Sequence, residues 1–212
     1  MRYIIMCGSS YKPERHLSQI NGETLLDRTV RLLVENGVDK QDIRLTPSFA
    51  LKDILTKSKL PAGIILFDNY KHSMWVDGFY PLIQPCTYLF GDVVFSPEAI
   101  KKIVETETDS IEFFASAPPF DTRYPRKWAE PFAFKVVNQE AFRCAIDKVI
   151  DLHLNHHAFK RPPIAWELWQ VIKGTSINQI DYTNYTVIND YTCDVDEPDD
   201  ILKFEGGSKW QS

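Results

Sequence analysis

At 212 residues, with 44% hydrophobic and 25% charged side chains, the chain has the make-up of a folded domain with one sizeable core, not of a disordered segment. Its formal net charge of -5 argues against the broad basic face that nucleic-acid binding needs, but a local basic cluster can still hold a small anion. No apolar run approaches the ~18 residues of a membrane span, and the opening residues are too few for a signal-peptide core, so the expectation is a cytoplasmic protein without membrane or nucleic-acid partners.

In chain order, residues 3–7 (YIIMC) read as a buried strand. A small-residue turn, Gly8-Ser9-Ser10, follows, then the cations Lys12 and Arg15, then a second turn at Asn21-Gly22. Residues 23–37 (ETLLDRTVRLLVENG) carry apolar side chains at helical spacing, and Asn36-Gly37 supplies the stop. Residues 42–48 (DIRLTPS) predict a second strand, residues 50–57 a helix, and residues 62–68 (AGIILFD) a third strand. Residues 87–95 (TYLFGDVVF) predict a fourth strand interrupted at Gly91-Asp92. The segment 96–107 (SPEAIKKIVETE) predicts a helix with Ser96 as N-cap and Pro97 at its first position. Residues 111–117 (IEFFASA) complete a strand–helix alternation that implies an open, mostly parallel α/β sheet with helices on both faces.

The rhythm then breaks. Residues 118–131 (PPFDTRYPRKWAEP) read as an ordered loop rich in proline, aromatics and cations. Residues 132–137 predict a strand, 138–155 a long helix, 164–174 a short helix closed by Gly174, and 185–188 a late strand. Residues 193–204 (CDVDEPDDILKF) predict a strand end and a last helix. The whole is expected to be one domain: a nucleotide-binding half over 1–117, an acceptor-binding half over 118–204 and a tail over 205–212. The cysteines Cys7, Cys86, Cys144 and Cys193 are scattered without C-x-x-C spacing, which points to free, mostly buried thiols.

In open parallel sheets a ligand sits beyond the carboxyl ends of the strands. The stretch following the first strand lies there. Small residues admit a phosphate to the main chain, whose N–H groups can then point at it, and Lys12 and Arg15 add positive charge. A plain turn with two solvated cations accounts for the same residues equally well. His153, His156 and His157 share helical spacings but sit at a helix end without an acid among them. Exposure or a helix-dipole contact explains them better than a metal. Trp166 and Trp169 read as core or pocket wall.

The stretch 3–38 resembles the start of the sugar-nucleotidyltransferase family: a strand, a glycine-rich loop with a basic residue, a Pro-Lys pair, an apolar run and a segment like NGKPLLERT. By that resemblance Cys7, Gly8, Ser9 and Ser10 form the nucleotide loop. Lys12 stands where the family usually has arginine, and Arg15 stands where it usually has the activating lysine. The loop is shorter, and Ser10 replaces a second glycine. The segment YLFGDVVFSPEAI is similar to the family's central metal-binding segment, which implies Asp92 as a metal ligand. The segment CDVDEPDDI is similar to the late segment that supplies a second carboxylate, with Asp194 and Asp196 as candidates. A carboxylate inside the apolar run at Asp92 needs such a reason, although Gly91-Asp92 could also be a β-bulge. Asp196 suits a helix N-cap as well as a metal, and one oxygen can serve each.

The resemblance further implies Asn69, Tyr70 and Ser73 near the base and Arg123, Arg126 and Lys127, with Trp128 beside them, around a phosphorylated acceptor. It implies Mg²⁺ or Mn²⁺ as cofactor. The activity implied is transfer from a nucleoside triphosphate to a sugar phosphate or phosphorylated alcohol with release of pyrophosphate. Two alternatives stand beside it. One is a glycosyltransferase of the related fold, whose Asp-x-Asp is replaced here by the single aspartate of Gly91-Asp92-Val93-Val94. The other is a nucleotide-binding protein without turnover.

Overall fold

The computed structural model describes residues 1–8, 13–48, 51–52, 55, 63–64, 74–79, 84–116, 130–178, 180–196 and 200–201. Its first strand, β1 (Arg2–Cys7), has every residue after Arg2 buried. Such an unbroken apolar strand belongs in the middle of a parallel sheet, covered on both faces. It does sit there: β1 pairs in parallel with β4 (Ile43–Pro47) on one side and with β6 (Cys86–Phe90) on the other. The seven-stranded sheet runs β10-β8-β9-β6-β1-β4-β5, where β5 is Gly63–Ile64, β8 Ile111–Ala115, β9 Pro131–Val136 and β10 Thr186–Val187. Only β9 is antiparallel to its neighbours, β6 and β8, which gives the second half its mixed character.

Among the described residues, helices form where apolar spacing and caps coincide. Helix α1 (Leu25–Glu35) is capped by Thr24, whose Oγ1 accepts from the Asp27 N–H at 3.0 Å. Gly37 closes it at φ +84°, and the Val38 N–H reaches back to the Leu33 carbonyl. Helix α2 (Pro97–Glu105) starts as its sequence predicts: Ser96 Oγ accepts from Ala99 N–H at 2.8 Å and donates to Asp190 at 2.7 Å. Helices α3 (Gln139–Leu154) and α4 (Ala165–Lys173) pack on each other, and Gly174 ends α4 at φ +69°. Aromatic rings fill the interior under β6, β8 and β9. Phe113 and Phe134 stack at 4.4 Å, and Phe79 meets Tyr88 edge-on at 5.0 Å.

Three details differ from the sequence expectations. Residues 87–95 are not one interrupted strand: β6 ends at Phe90, the chain turns at Gly91-Asp92, and β7 (Val93–Val94) leaves the main sheet to pair antiparallel with β11 (Cys193–Asp194). Asn21-Gly22 is the expected turn, but it is a hairpin turn between two short strands that the sequence reading lacks. Both residues have positive φ and join β2 (Gln19–Ile20) to β3 (Glu23–Thr24) in a tight hairpin. Between β1 and that hairpin, Pro13–Leu17 form a 3-10 turn that carries Arg15. Of the expected helix over 50–57, Leu51, Lys52 and Leu55 are helical. Most of the third strand, the loop 118–129, most of the last helix and the tail lie outside the described residues.

Candidate active site

The site is built at the carboxyl ends of β1 and β6, which lie side by side with Met6 opposite Phe90. Gly91 is the first residue beyond β6, and its N–H donates to the Met6 carbonyl at 2.8 Å. A Cβ at Gly91 would lie 2.6 Å from that carbonyl oxygen, 2.7 Å from Cys7 Sγ and 3.3 Å from His16 Nδ1. Only glycine lets the β6–β7 corner settle this closely on the end of β1. The corner therefore has a structural cause, and its consequence is the placement of Asp92.

Asp92 meets Arg15. Nη2 of the guanidinium is 2.6 Å from Asp92 Oδ2, and Nη1 is 3.6 Å from Asp196 Oδ1. The Arg15 and Asp92 side chains are about one-fifth exposed, and that of Asp196 more than half. The two acids come from segments locked to each other by main chain: β7 pairs with β11, and the Val195 N–H donates to the Asp92 carbonyl at 2.7 Å. Asp194 is the neighbouring member of this group, and its N–H donates to Glu130 Oε2 at 3.1 Å. Arg15, Asp92, Asp194, Asp196 and Glu130 all line one cavity of about 250 Å³, whose apolar lining includes Trp75, Phe90 and Trp166.

Two residues of this centre carry no signal in the sequence reading. Glu130 stands just before β9 and is 2% exposed. Its N–H donates to Ser116 Oγ and its carbonyl accepts from the Ser116 N–H, so the head of β9 is clamped to the end of β8. An acid directly preceding the apolar run 131–136 is the trace it leaves. His16, next to Arg15, is 2% exposed, and neither ring nitrogen has a hydrogen-bond partner among the described residues. Burial holds its pKa below the ordinary histidine value, with the negative charge of Asp92 opposing the shift in part.

The structure thus brings Arg15, Asp92, Asp194 and Asp196 together. Cys7 is fully buried, with its thiol beneath Gly91 and its carbonyl accepting from the Ser48 N–H, and burial raises its pKa far above the usual thiol range. Its side chain supports the corner and cannot face a nucleotide. Gly8 follows it, half-buried. Lys12, Ser9, Ser10, Asn69, Tyr70, Ser73, Arg123, Arg126, Lys127 and Trp128 lie outside the described residues. Trp166 is 4% exposed and forms pocket wall, and Trp169 is 5% exposed in the core. Among the described residues no three His, Cys, Asp or Glu side chains gather closely enough to hold a metal by themselves, the three histidines included. No described helix is long and apolar enough to cross a membrane.

No family model and no curated protein matches the sequence. Solved structures do match over nearly the whole chain. A 4-diphosphocytidyl-2C-methyl-D-erythritol synthase from Anaerococcus prevotii aligns with TM-score 0.61 at 13% identity, covering 97% of this chain and 94% of that one. A CTP:phosphocholine cytidylyltransferase from Streptococcus pneumoniae aligns with TM-score 0.54 at 13% identity, covering 97% of each chain. An inositol-1-phosphate CTP transferase from T. maritima aligns with TM-score 0.51 at 14% identity, covering 97% and 96%. These neighbours show the fold: the chain has the nucleotidyltransferase fold, an α/β architecture with a mostly parallel sheet.

Proposed function

We propose that this protein is a nucleotidyltransferase that joins a nucleoside triphosphate to a phosphorylated small molecule, a sugar phosphate or phosphorylated alcohol, and releases pyrophosphate. The observation that carries the reading is Arg15 set against Asp92 and Asp196 in one cavity beyond the ends of β1 and β6. A cation and two acids at that edge of a parallel sheet suit a phosphate ligand. Two of the solved structures named above are a CTP:phosphocholine cytidylyltransferase and an inositol-1-phosphate CTP transferase, which supports the same reading.

In this mechanism the acceptor phosphate attacks the α-phosphorus in line, and no protein nucleophile is required. Arg15 supplies a planar donor fork to the non-bridging oxygens as charge develops on them, and Lys12 adds a second cation. Asp92 and Asp196 are hard oxygen donors of the kind Mg²⁺ or Mn²⁺ takes together with substrate oxygens and waters. Bound between them, such an ion would neutralise part of the triphosphate charge. Glu130 fixes the Asp194 main chain and thereby the strand that presents Asp196. Trp75, Phe90 and Trp166 keep the cavity apolar on their side, which strengthens the charge interactions within it.

The test is a matrix of nucleoside triphosphates against sugar phosphates and alcohol phosphates, read by pyrophosphate release and by thermal shift. A ligand at a hundred times its dissociation constant raises stability by ~2.7 kcal/mol. One productive pair establishes the activity. Stabilisation by a nucleotide without pyrophosphate from any pair would assign a binding protein instead, and no response to any nucleotide would reject the reading.

A further inference from the structure

Arg15 already holds the two carboxylates that the transferase reading gives to a divalent cation. One guanidinium reaches Asp92 Oδ2 at 2.6 Å and Asp196 Oδ1 at 3.6 Å. The acids are kept near each other by the β7–β11 pairing and by the Val195-to-Asp92 main-chain bond, not by the arginine. The acid pair is thus a feature of the fold, and the question is which cation occupies it. A divalent ion would need the same oxygens at ~2.0–2.1 Å. Two cations crowded onto one acid pair repel each other. Arg15 and the metal therefore exclude one another as long as the guanidinium stays where it is.

The arginine is also not fully used in this position. Its Nε is buried without a hydrogen-bond partner among the described residues. The contact with Asp196, at 3.6 Å, is longer than a well-formed charge-assisted bond. A phosphate offers several charged oxygens in the geometry that a guanidinium fork matches best. A nucleotide phosphate arriving at the end of β1 would compete with the two acids for the Arg15 guanidinium.

We infer that Arg15 is a displaceable internal counter-ion. It holds Asp92 and Asp196 before nucleotide arrives, and yields them to a divalent cation when a nucleotide phosphate takes its guanidinium. This rests on the transferase reading and specifies how its site is loaded. The metal binds weakly alone, nucleotide and metal strengthen each other's binding, and the coupling runs through one side chain.

Mn²⁺ titration without nucleotide, by calorimetry or water-proton relaxation, tests this and needs no turnover. The wild type is compared with Arg15→Met and Arg15→Gln, each alone and combined with Asp92→Asn, and circular dichroism checks that each is folded. Both single variants are expected to bind Mn²⁺ at least ~10-fold tighter than the wild type. Adding Asp92→Asn is expected to abolish that gain, which locates it at the acid pair. A non-hydrolysable nucleoside triphosphate is expected to tighten Mn²⁺ binding in the wild type more than in Arg15→Met. Folded Arg15 variants that bind Mn²⁺ no better than the wild type would overturn the inference. So would a wild type that binds Mn²⁺ equally well with and without nucleotide. If the Arg15-dependent gain is seen but no nucleotide–acceptor pair yields pyrophosphate, the counter-ion stands and the transferase reading alone falls.

Discussion

Arg15 Nη2 and Asp92 Oδ2 lie 2.6 Å apart, although the two residues come from different strand ends. Both side chains are about one-fifth exposed, so water still reaches the carboxylate when the guanidinium is removed and limits the cost to stability. Arg15→Ala is expected to lower turnover by ~10²–10³ while leaving the melting temperature within about 2–4 °C of the wild type. Arg15→Lys keeps the charge but loses the planar fork, and its turnover should fall between the two. Pyrophosphate release and a thermal melt on the same samples decide this. A melt that collapses with the activity would make the residue structural.

Gly91 is the position where the fold tolerates least. A methyl group there meets the Met6 carbonyl at 2.6 Å and Cys7 Sγ at 2.7 Å, and neither is a flexible side-chain end. Gly91→Ala is expected to cost about 1–3 kcal/mol in a denaturant titration. Because the corner carries Asp92, it should also impair activity. Gly63→Ala is the control. Its Cβ would meet the Arg44 side chain at 3.4 Å, an ordinary van der Waals distance, and its stability should stay near the wild type.

Glu130 is expected to act through Asp194. Glu130→Ala removes the acceptor of the Asp194 N–H and leaves a space in a part-buried site, at a cost of about 1–3 kcal/mol. Glu130→Gln retains an amide oxygen for that bond and should lose less stability. Denaturant midpoints of the two variants test this. Equal losses would mean that the charge matters and the hydrogen bond does not.

His16 gives the stability a pH dependence. Its folded pKa is lowered, mainly by burial, so between that value and the unfolded value of ~6.5 the unfolded chain binds more protons. Stability from this group is therefore complete above ~6.5 and declines as pH falls below it. Thermal melts from pH 8 to pH 5 should show this acid loss, and His16→Gln should show a shallower one. Equal slopes for the two proteins would remove His16 as the cause.

The sequence exposed those parts of the fold that depend on neighbours along the chain. Ser96-Pro97 starts α2 and Gly174 ends α4 because cap chemistry is local. Asp92, Asp194 and Asp196 could be singled out because the segments that carry them resemble the carboxylate-bearing segments of a known family, and Arg15 because a cation after a first strand suits a phosphate. The interruption at Gly91-Asp92 is legible in the sequence, but the departure of the chain into a second sheet there is not. TYLFGDVVF is apolar on both sides of Gly91-Asp92, and only the close approach to Met6 and Cys7 turns that pair into a corner between two sheets. His16 and Glu130 gain their meaning from contacts with residues far along the chain, Gly91 for one and Asp194 for the other, and no spacing announces such contacts. The Asn21-Gly22 hairpin did have a local signal, in two consecutive residues suited to positive φ, but the helical pattern that follows masked it.

The central claim is that Arg15 and Asp92 serve one reaction centre. A double-mutant cycle on pyrophosphate release addresses it most directly, using Arg15→Ala, Asp92→Asn and the two combined. Residues that act as a unit lose most of their effect with the first substitution. The account predicts that each single variant loses ~10² or more and that the double variant is little worse than either. Losses that multiply, or an Asp92→Asn enzyme as active as the wild type, would contradict it.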